Sequence, residues 1–125
     1  MRFMLLVKGS KEAEEGTLPD VQLFADMTKY NNDLKASGAL LALDGLQSSS
    51  KGARITFTNG AQMVTDGPFP NPEELVEGYW VIQVGSKDEA IEWAKRVPFK
   101  DGVVEVRQIQ EISDFPPEIQ QAVGQ

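Results

Sequence analysis

The chain has 125 residues, of which 41% are hydrophobic and 25% are charged, and it carries a formal net charge of −7. This length and composition are typical of a globular protein with one core, so we expect residues 1–125 to form a single domain. The negative charge disfavours binding to nucleic acid or to an anionic membrane. Cysteine and histidine are both absent, which excludes disulfides and thiolate nucleophiles and removes the commonest general base and metal ligand.

The first apolar run, residues 2–8, predicts a strand. It is too short for the apolar region of a signal peptide, and no other run reaches membrane-spanning length, so we expect a cytoplasmic protein. Residues 9–18 are polar and predict an exposed loop. Apolar residues at three- and four-residue steps predict an amphipathic helix over 19–37, which Gly38 ends. The expected buried stripe of this helix consists of Val21, Leu23, Phe24, Met27, Tyr30 and Leu34.

The middle of the chain predicts a strand followed by a β-hairpin. Residues 39–46 form the strand, with Asp44-Gly45 as a possible bulge, and the polar residues 47–52 form a loop. Alternating apolar residues on both sides of Asn59-Gly60 predict a hairpin over about 53–65 with a type I′ turn.

The last third predicts a strand, a helix and a final strand. Residues 78–84 are rich in aromatic and β-branched residues, as in strands. Ser86 and Glu89 form a capping box that opens a helix to about Val97. Residues 103–112 alternate as a strand, and the tail, about 113–125, predicts one short helix.

This order of elements predicts an α+β fold. Without the hairpin it is βαββαβ, the ferredoxin-like pattern, in which both helices cover one face of an antiparallel sheet. The other face would expose apolar side chains, so we expect a homodimer that packs sheet face against sheet face. The apolar strand residues that would be shared between the two faces are Phe3, Leu5, Val7, Leu41, Leu43, Tyr79, Val81, Val104 and Val106.

A turn with unusual chemistry, Asp66-Gly67-Pro68-Phe69, directly follows the hairpin. Gly67 and Pro68 favour a turn because glycine permits rare backbone angles and proline restricts its own φ and the residue before it. Asp66 has two open interpretations. Its carboxylate caps the turn by accepting backbone N–H groups, or it lies at the lip of a pocket, walled by Phe69, as a general acid or base.

Taken together, three motifs resemble the DGPF-domain branch of the YCII-related proteins. They are the Asp-Gly-Pro-Phe turn, the Gly78-Tyr79-Trp80 strand and the Ser86–Ala94 helix ahead of Pro98. The resemblance runs from Phe3 to about Val106. It implies a dimeric α+β barrel, with small-molecule sites in clefts beside the subunit interface and Asp66 as the candidate acid or base.

The chain departs from the YCII-like branch of this family. That branch is characterised by a His and Asp dyad, with His early in the first helix and Asp just before the proline that closes the second. Here the first helix opens Pro19-Asp20-Val21 without histidine, and Val97 precedes Pro98. The chemistry of the dyad therefore does not transfer to this chain.

Other polar and aromatic residues are candidate neighbours of Asp66. Gly67 would allow a ligand to approach closely, and Arg54 or Arg107 could hold a substrate carboxylate through two hydrogen bonds. Tyr79 and Trp80 are candidate ligand contacts. Each residue also has an ordinary explanation: solvated strand positions for the arginines, and core or interface packing for the aromatic residues.

A metal site formed by Asp44, Asp66 and Glu105 would suit Mg²⁺ or Ca²⁺. The sequence has no ligand-loop spacing to support one, so we expect neither a metal nor a cofactor.

Two functions therefore stay open. The first is a small-molecule-binding protein that acts as a cofactor-independent enzyme, with Asp66 catalysing proton transfer, isomerisation or hydrolysis. The second is a non-catalytic ligand-binding or regulatory module that acts through its dimer and acidic surface. An enzyme requires an enclosed pocket with Asp66 and a second polar group, whereas a module requires neither.

Overall fold

A four-stranded antiparallel sheet forms the centre of the computed structural model, which describes residues 1–124. In chain order the strands are β1 (Arg2–Lys8), β2 (Leu40–Gly45), β3 (Ala53–Thr58), β4 (Ala61–Asp66), β5 (Val76–Gln83) and β6 (Val104–Gln108). The helices are α1 (Lys11–Glu14), α2 (Val21–Ser37), α3 (Lys87–Lys95) and α4 (Pro117–Ala122). None of these helices is long and apolar enough to cross a bilayer.

The sheet order β2-β5-β1-β6 confirms the predicted fold class. Without the hairpin, these strands with α2 and α3 are the βαββαβ unit of the ferredoxin-like fold. The hairpin β3–β4 forms a separate two-stranded sheet. Its turn residues Asn59 and Gly60 both have positive φ, 51° and 85°, which confirms the predicted type I′ turn.

The core lies between the sheet and the helices. Phe3, Leu5, Trp80 and Ile82 point towards the helices and are almost completely buried. From α2, the Tyr30 ring meets Trp80 edge to face, with ring centroids 5.3 Å apart, and its hydroxyl donates to the Trp93 carbonyl oxygen at 2.8 Å. Burial raises the pKa of Tyr30 to about 12. Tyr30 is therefore a core residue with a satisfied hydroxyl.

The first half of α2 does not pack as the sequence predicts. The helix begins after Asp20, whose Oδ1 accepts the Leu23 N–H at 2.8 Å, so Pro19 lies outside it. Val21 is 85% exposed and Phe24 is 53% exposed. The predicted buried stripe is wrong for these two residues. Phe24 borders a cavity rather than packed sheet, and Val21 does not border it.

Two predicted loops contain short helical turns. Residues 9–18 include α1, where the Ser10 hydroxyl accepts the Ala13 N–H at 3.1 Å. Residues 47–52 include a 3₁₀ turn at Ser49–Lys51. Both turns are polar and bury no residue, so they have no apolar periodicity by which the sequence could predict them.

Several predicted boundaries also differ. The Ser86 hydroxyl accepts the Glu89 N–H at 3.2 Å, but the Glu89 carboxylate accepts from Gly85 rather than from Ser86, so only half of the capping box forms. The helix α3 ends at Lys95, two residues before Val97. The final strand ends at Gln108, and the irregularity in β2 lies between Leu40 and Ala42 rather than at Asp44-Gly45.

The apolar strand residues divide between the two faces of the sheet. Met4 pairs with Val81 and Arg107, and Leu6 pairs with Tyr79 and Glu105. Residues paired in register share a face, so an apolar centre made of Met4, Leu6, Tyr79 and Val81 faces away from the helices. The other face carries most of the predicted set, namely Phe3, Leu5, Val7, Leu43, Val104 and Val106.

We expect Leu34→Ala to lower the free energy of unfolding by about 2–5 kcal/mol, since Leu34 is fully buried and the variant leaves a cavity in the core. Urea denaturation measures this change. The control is Val21→Ala on the same helix, which is expected to stay within about 0.5 kcal/mol of the wild type. Equal losses in the two variants would contradict this description of the core.

Candidate functional site

A cavity of about 640 Å³ lies between α2, the helix-facing side of the sheet and the segment that contains α1. Its apolar walls come from the sheet, from the first half of α2 and from the loop after α3. They include Val7, Leu23, Met27, Leu43, Trp80 and Phe99. The volume and mostly apolar lining are typical of a small-molecule site.

A few polar groups line the same cavity. Ser10 and Glu77 are joined, because the Ser10 N–H donates to Glu77 Oε1 at 2.6 Å. Lys8 lies beside them, with Nζ 3.4 Å from the carbonyl oxygen of Glu74. On the α2 side, Asn31 Oδ1 accepts the Trp80 indole N–H at 2.8 Å, which orients the aromatic wall.

Glu77 occupies its place because of an irregular strand pairing. Val7 pairs with Gly78 but Lys8 pairs with Val76, so Glu77 is the extra residue of a bulge. Bulges redirect a side chain and are frequent beside functional sites. Burial raises the pKa of Glu77, and the nearby carboxylates of Glu14 and Glu12 add to the increase, while the hydrogen bond from Ser10 opposes it.

Sequence reasoning missed Glu77. The sequence feature that could have indicated it is a single acidic residue at the start of an otherwise apolar strand, directly before Gly78. The bulge that directs Glu77 to the cavity depends on pairing with β1, which lies about 70 residues away in the sequence.

The DGPF turn lies outside the cavity. Asp66 is the last residue of β4, pairs with Ala53 and is exposed. Within residues 1–124 its carboxylate accepts no hydrogen bond and does not line the cavity. The peptide bond between Gly67 and Pro68 is cis. The role of Asp66 as a general acid or base stays a prediction.

The other predicted site residues fall into two places. Arg54 and Phe69 come together, with the guanidinium carbon 4.0 Å above the ring centroid. Tyr79 and Arg107 lie on the open face of the sheet, where Tyr79 donates to Asp44 at 3.1 Å and Arg107 pairs with Glu105 at 3.3 Å. Of the seven candidate residues, Tyr79 and Trp80 border the cavity formed by the described residues.

Gly67 is required by a close backbone contact. A Cβ atom built at this position would overlap the carbonyl oxygen of Ser49. The Gly67 N–H donates to the Gly52 carbonyl oxygen at 3.0 Å. In this part of the chain, the close approach that glycine permits is therefore to the protein's own backbone.

The carboxylates of Asp44, Asp66 and Glu105 were considered above as a metal site. In the part of the chain that the structure describes, no three Asp or Glu side chains come together closely enough to hold an ion. Asp44 instead accepts the hydroxyl of Tyr79, and Glu105 pairs with Arg107.

The YCII-related domain model matches residues 1–113. The chain belongs to the YCII-related family. An uncharacterised protein of Rhizobium meliloti (strain 1021) is 31% identical over 86 residues, which are 69% of this chain and 64% of that protein. The match thus spans less than two thirds of the relative's own length.

A solved structure also resembles this YCII-related chain. It is the 5-chloro-2-hydroxyhydroquinone dehydrochlorinase of Burkholderia phenoliruptrix AC1100 in complex with 2,5-dihydroxybenzoquinone. The identity is 14% and the TM-score is 0.44, over 88% of this chain and 94% of the other.

We expect the Glu77→Gln substitution to increase the free energy of unfolding, relative to wild type, more at pH 7 than at pH 4. Because the pKa of Glu77 is raised above its ordinary value of 4.5 in the folded state, the folded chain binds more protons than the unfolded chain just above that value. The wild type therefore loses stability as the pH rises through this range. Glutamine does not ionise, and its side-chain oxygen still accepts the Ser10 N–H.

Urea denaturation of both proteins at several pH values between 4 and 7 measures the effect as the difference in unfolding free energy. The matched control is Glu118→Gln, which removes the same charge from an exposed position on α4. A difference between Glu77→Gln and wild type that shrinks with rising pH would contradict the raised pKa.

Proposed function

We propose that this YCII-related protein binds a compact, mostly apolar organic molecule with one or two hydrogen-bonding groups. The cavity of about 640 Å³ beneath α2 carries this proposal. Its apolar walls would contact the body of the molecule, and the polar corner of Lys8, Ser10 and Glu77 would fix its orientation. The exposed Phe24 and Leu43 at the cavity provide further apolar contact area.

Proton transfer within this cavity is the second candidate function. Because burial raises the pKa of Glu77, its carboxyl group stays protonated to a higher pH than that of an exposed glutamate, which suits a general acid. Asp66, the acid or base predicted from the sequence, lies outside this cavity. Proton transfer or isomerisation by either residue would require no cofactor. A protein that only binds a ligand would need no catalytic residue.

We also propose that the protein is a homodimer. The apolar centre of the open sheet face, Met4, Leu6, Tyr79 and Val81, lies opposite the helices and is only partly buried within residues 1–124. A second copy of the chain would cover this face with the same four side chains, as a two-fold interface requires.

The hairpin supports association with a second copy. Ile55, Phe57 and Val64 share one face of the hairpin and are 50–67% exposed, and an isolated two-stranded hairpin is only marginally stable in water. A second copy of the chain would cover this exposed apolar face.

Ligand binding can be tested with anilinonaphthalene sulfonate (ANS) and a Trp93→Phe background, in which Trp80 is the single tryptophan. We expect ANS in the cavity to quench Trp80 by energy transfer. Ala13→Phe places a phenyl group in the cavity wall and is expected to weaken binding by about tenfold or more, equivalent to about 1.4 kcal/mol. The control Ala122→Phe adds the same group to α4, outside the cavity. Equal affinities in the two variants would mean that ANS binds elsewhere.

The same titration compares the two carboxylates. We expect Glu77→Gln to bind the anionic ANS more tightly than wild type at pH 7, since a negative charge is removed from the cavity. The ANS affinity of Asp66→Asn is expected to stay within about twofold of the wild-type affinity, because surface substitutions usually change free energies by less than about 0.5 kcal/mol. A loss in Asp66→Asn as large as that in Ala13→Phe would instead place Asp66 at the binding site.

Light scattering coupled to size-exclusion chromatography tests the dimer. We expect a mass of twice the 13.8 kDa of one chain. Leu6→Gln, at the centre of the open face, is expected to shift the mass to that of a monomer, whereas Val21→Gln on exposed α2 leaves it unchanged. A monomeric wild-type protein at micromolar concentration would contradict the proposal.

A further inference from the structure

One serine hydroxyl connects the DGPF turn to α1. The Ser49 hydroxyl donates to Glu14 Oε1 and accepts the Phe69 N–H at 3.0 Å. The Ser49 N–H donates to the other Glu14 oxygen at 2.9 Å, and the Ser48 hydroxyl donates to the Glu14 carbonyl oxygen at 2.8 Å. Glu14 therefore accepts three hydrogen bonds from two adjacent serines.

The turn side of this connection is held by backbone packing. Gly67 lies against the carbonyl group of Ser49 so closely that a Cβ atom would overlap it, and its N–H donates to the carbonyl oxygen of Gly52. Any movement of the DGPF turn relative to the Ser49 segment would break these contacts together.

The α1 side has no apolar anchor. This helix has four residues and buries none of them, so hydrophobic packing cannot fix its position. Its N-terminal end is held by Gly9, whose N–H donates to the Leu75 carbonyl oxygen at 2.9 Å, and by the bond from Ser10 to Glu77. Its C-terminal end is held by the bonds from Ser48 and Ser49 to Glu14.

Two residues of α1, Glu12 and Ala13, line the cavity. The position of this part of the cavity wall is therefore determined by hydrogen bonds at both ends of a helix that is too short to be stable by itself.

We propose that Ser49 and Glu14 are positioning residues for the cavity, through which the DGPF turn holds α1 in place as a wall of the ligand site. This inference rests on the proposed ligand-binding function of the cavity. It gives Gly67 and Phe69 a role that requires no contact with the ligand: Gly67 admits the backbone of Ser49, and the Phe69 N–H orients the Ser49 hydroxyl towards Glu14.

Hydrogen exchange followed by mass spectrometry tests the connection without any ligand. In Ser49→Ala we expect exchange in peptides covering residues 9–19 to become at least about fivefold faster, because local opening needs less free energy. Peptides from β1 and β5 are expected to keep their wild-type rates. Ser50→Ala is the matched control, since the Ser50 hydroxyl bonds only to Ser48 and does not reach Glu14.

A second variant acts from the other side of the connection. Gly67→Ala forces the turn away from Ser49 and is expected to increase exchange in the same peptides, whereas Gly45→Ala, where nothing lies within 4 Å of the added carbon, is not. Unchanged exchange over residues 9–19 in both Ser49→Ala and Gly67→Ala would overturn the proposal.

The ANS titration then separates this inference from the proposed function. We expect Ser49→Ala to weaken ANS binding by about fivefold, which is equivalent to about 1 kcal/mol. Ser50→Ala is expected to keep the wild-type affinity. Faster exchange with unchanged ANS affinity would overturn the positioning role. If the wild-type chain itself fails to bind ANS in the cavity, the proposed function is contradicted, while the exchange rates still decide whether the turn holds α1.

Discussion

The contact between Tyr30 and Trp80 determines much of this structure. It joins the second half of α2 to β5 through edge-to-face packing, and the Tyr30 hydroxyl extends the connection to α3 through the Trp93 carbonyl group. The Trp80 indole N–H adds a bond to Asn31, one residue further along α2. Because α2 is anchored by its second half, its first half stands away from the sheet and leaves the cavity beneath it.

The cavity is closed on another side by α1, which polar contacts hold rather than hydrophobic packing. Hydrogen bonds lose most of their strength when water competes for the same groups, so such a wall opens more easily than the core. The DGPF turn, through Ser49 and Glu14, is one of its two supports. The proposed arrangement would give the turn a structural role at a distance from the cavity, beside the chemical role predicted for Asp66.

The sequence predictions are confirmed where the residues of an element are sufficient to indicate its conformation. The Asn59-Gly60 turn predicted the hairpin, and the order of periodic segments predicted the ferredoxin-like fold. The predictions are wrong or incomplete where the position of a side chain depends on a partner that is distant in the sequence. Val21 and Phe24 belong to the apolar stripe of α2 but remain exposed. Glu77 precedes the predicted strand 78–84, and only the pairing of β5 with β1 makes it a bulge beside the cavity.

The sequence by itself determined the fold class, the hairpin and the chemistry that is impossible without cysteine or histidine, because these follow from local conformational preference and from composition. Only the tertiary structure decided which residues meet. It brought Arg54 to Phe69, placed Tyr79 and Arg107 on the open face of the sheet, and joined Ser49 to Glu14 across 35 positions of sequence. Such contacts depend on which strands pair and on how far a helix stands from the sheet, and both are set by residues that are distant in the sequence.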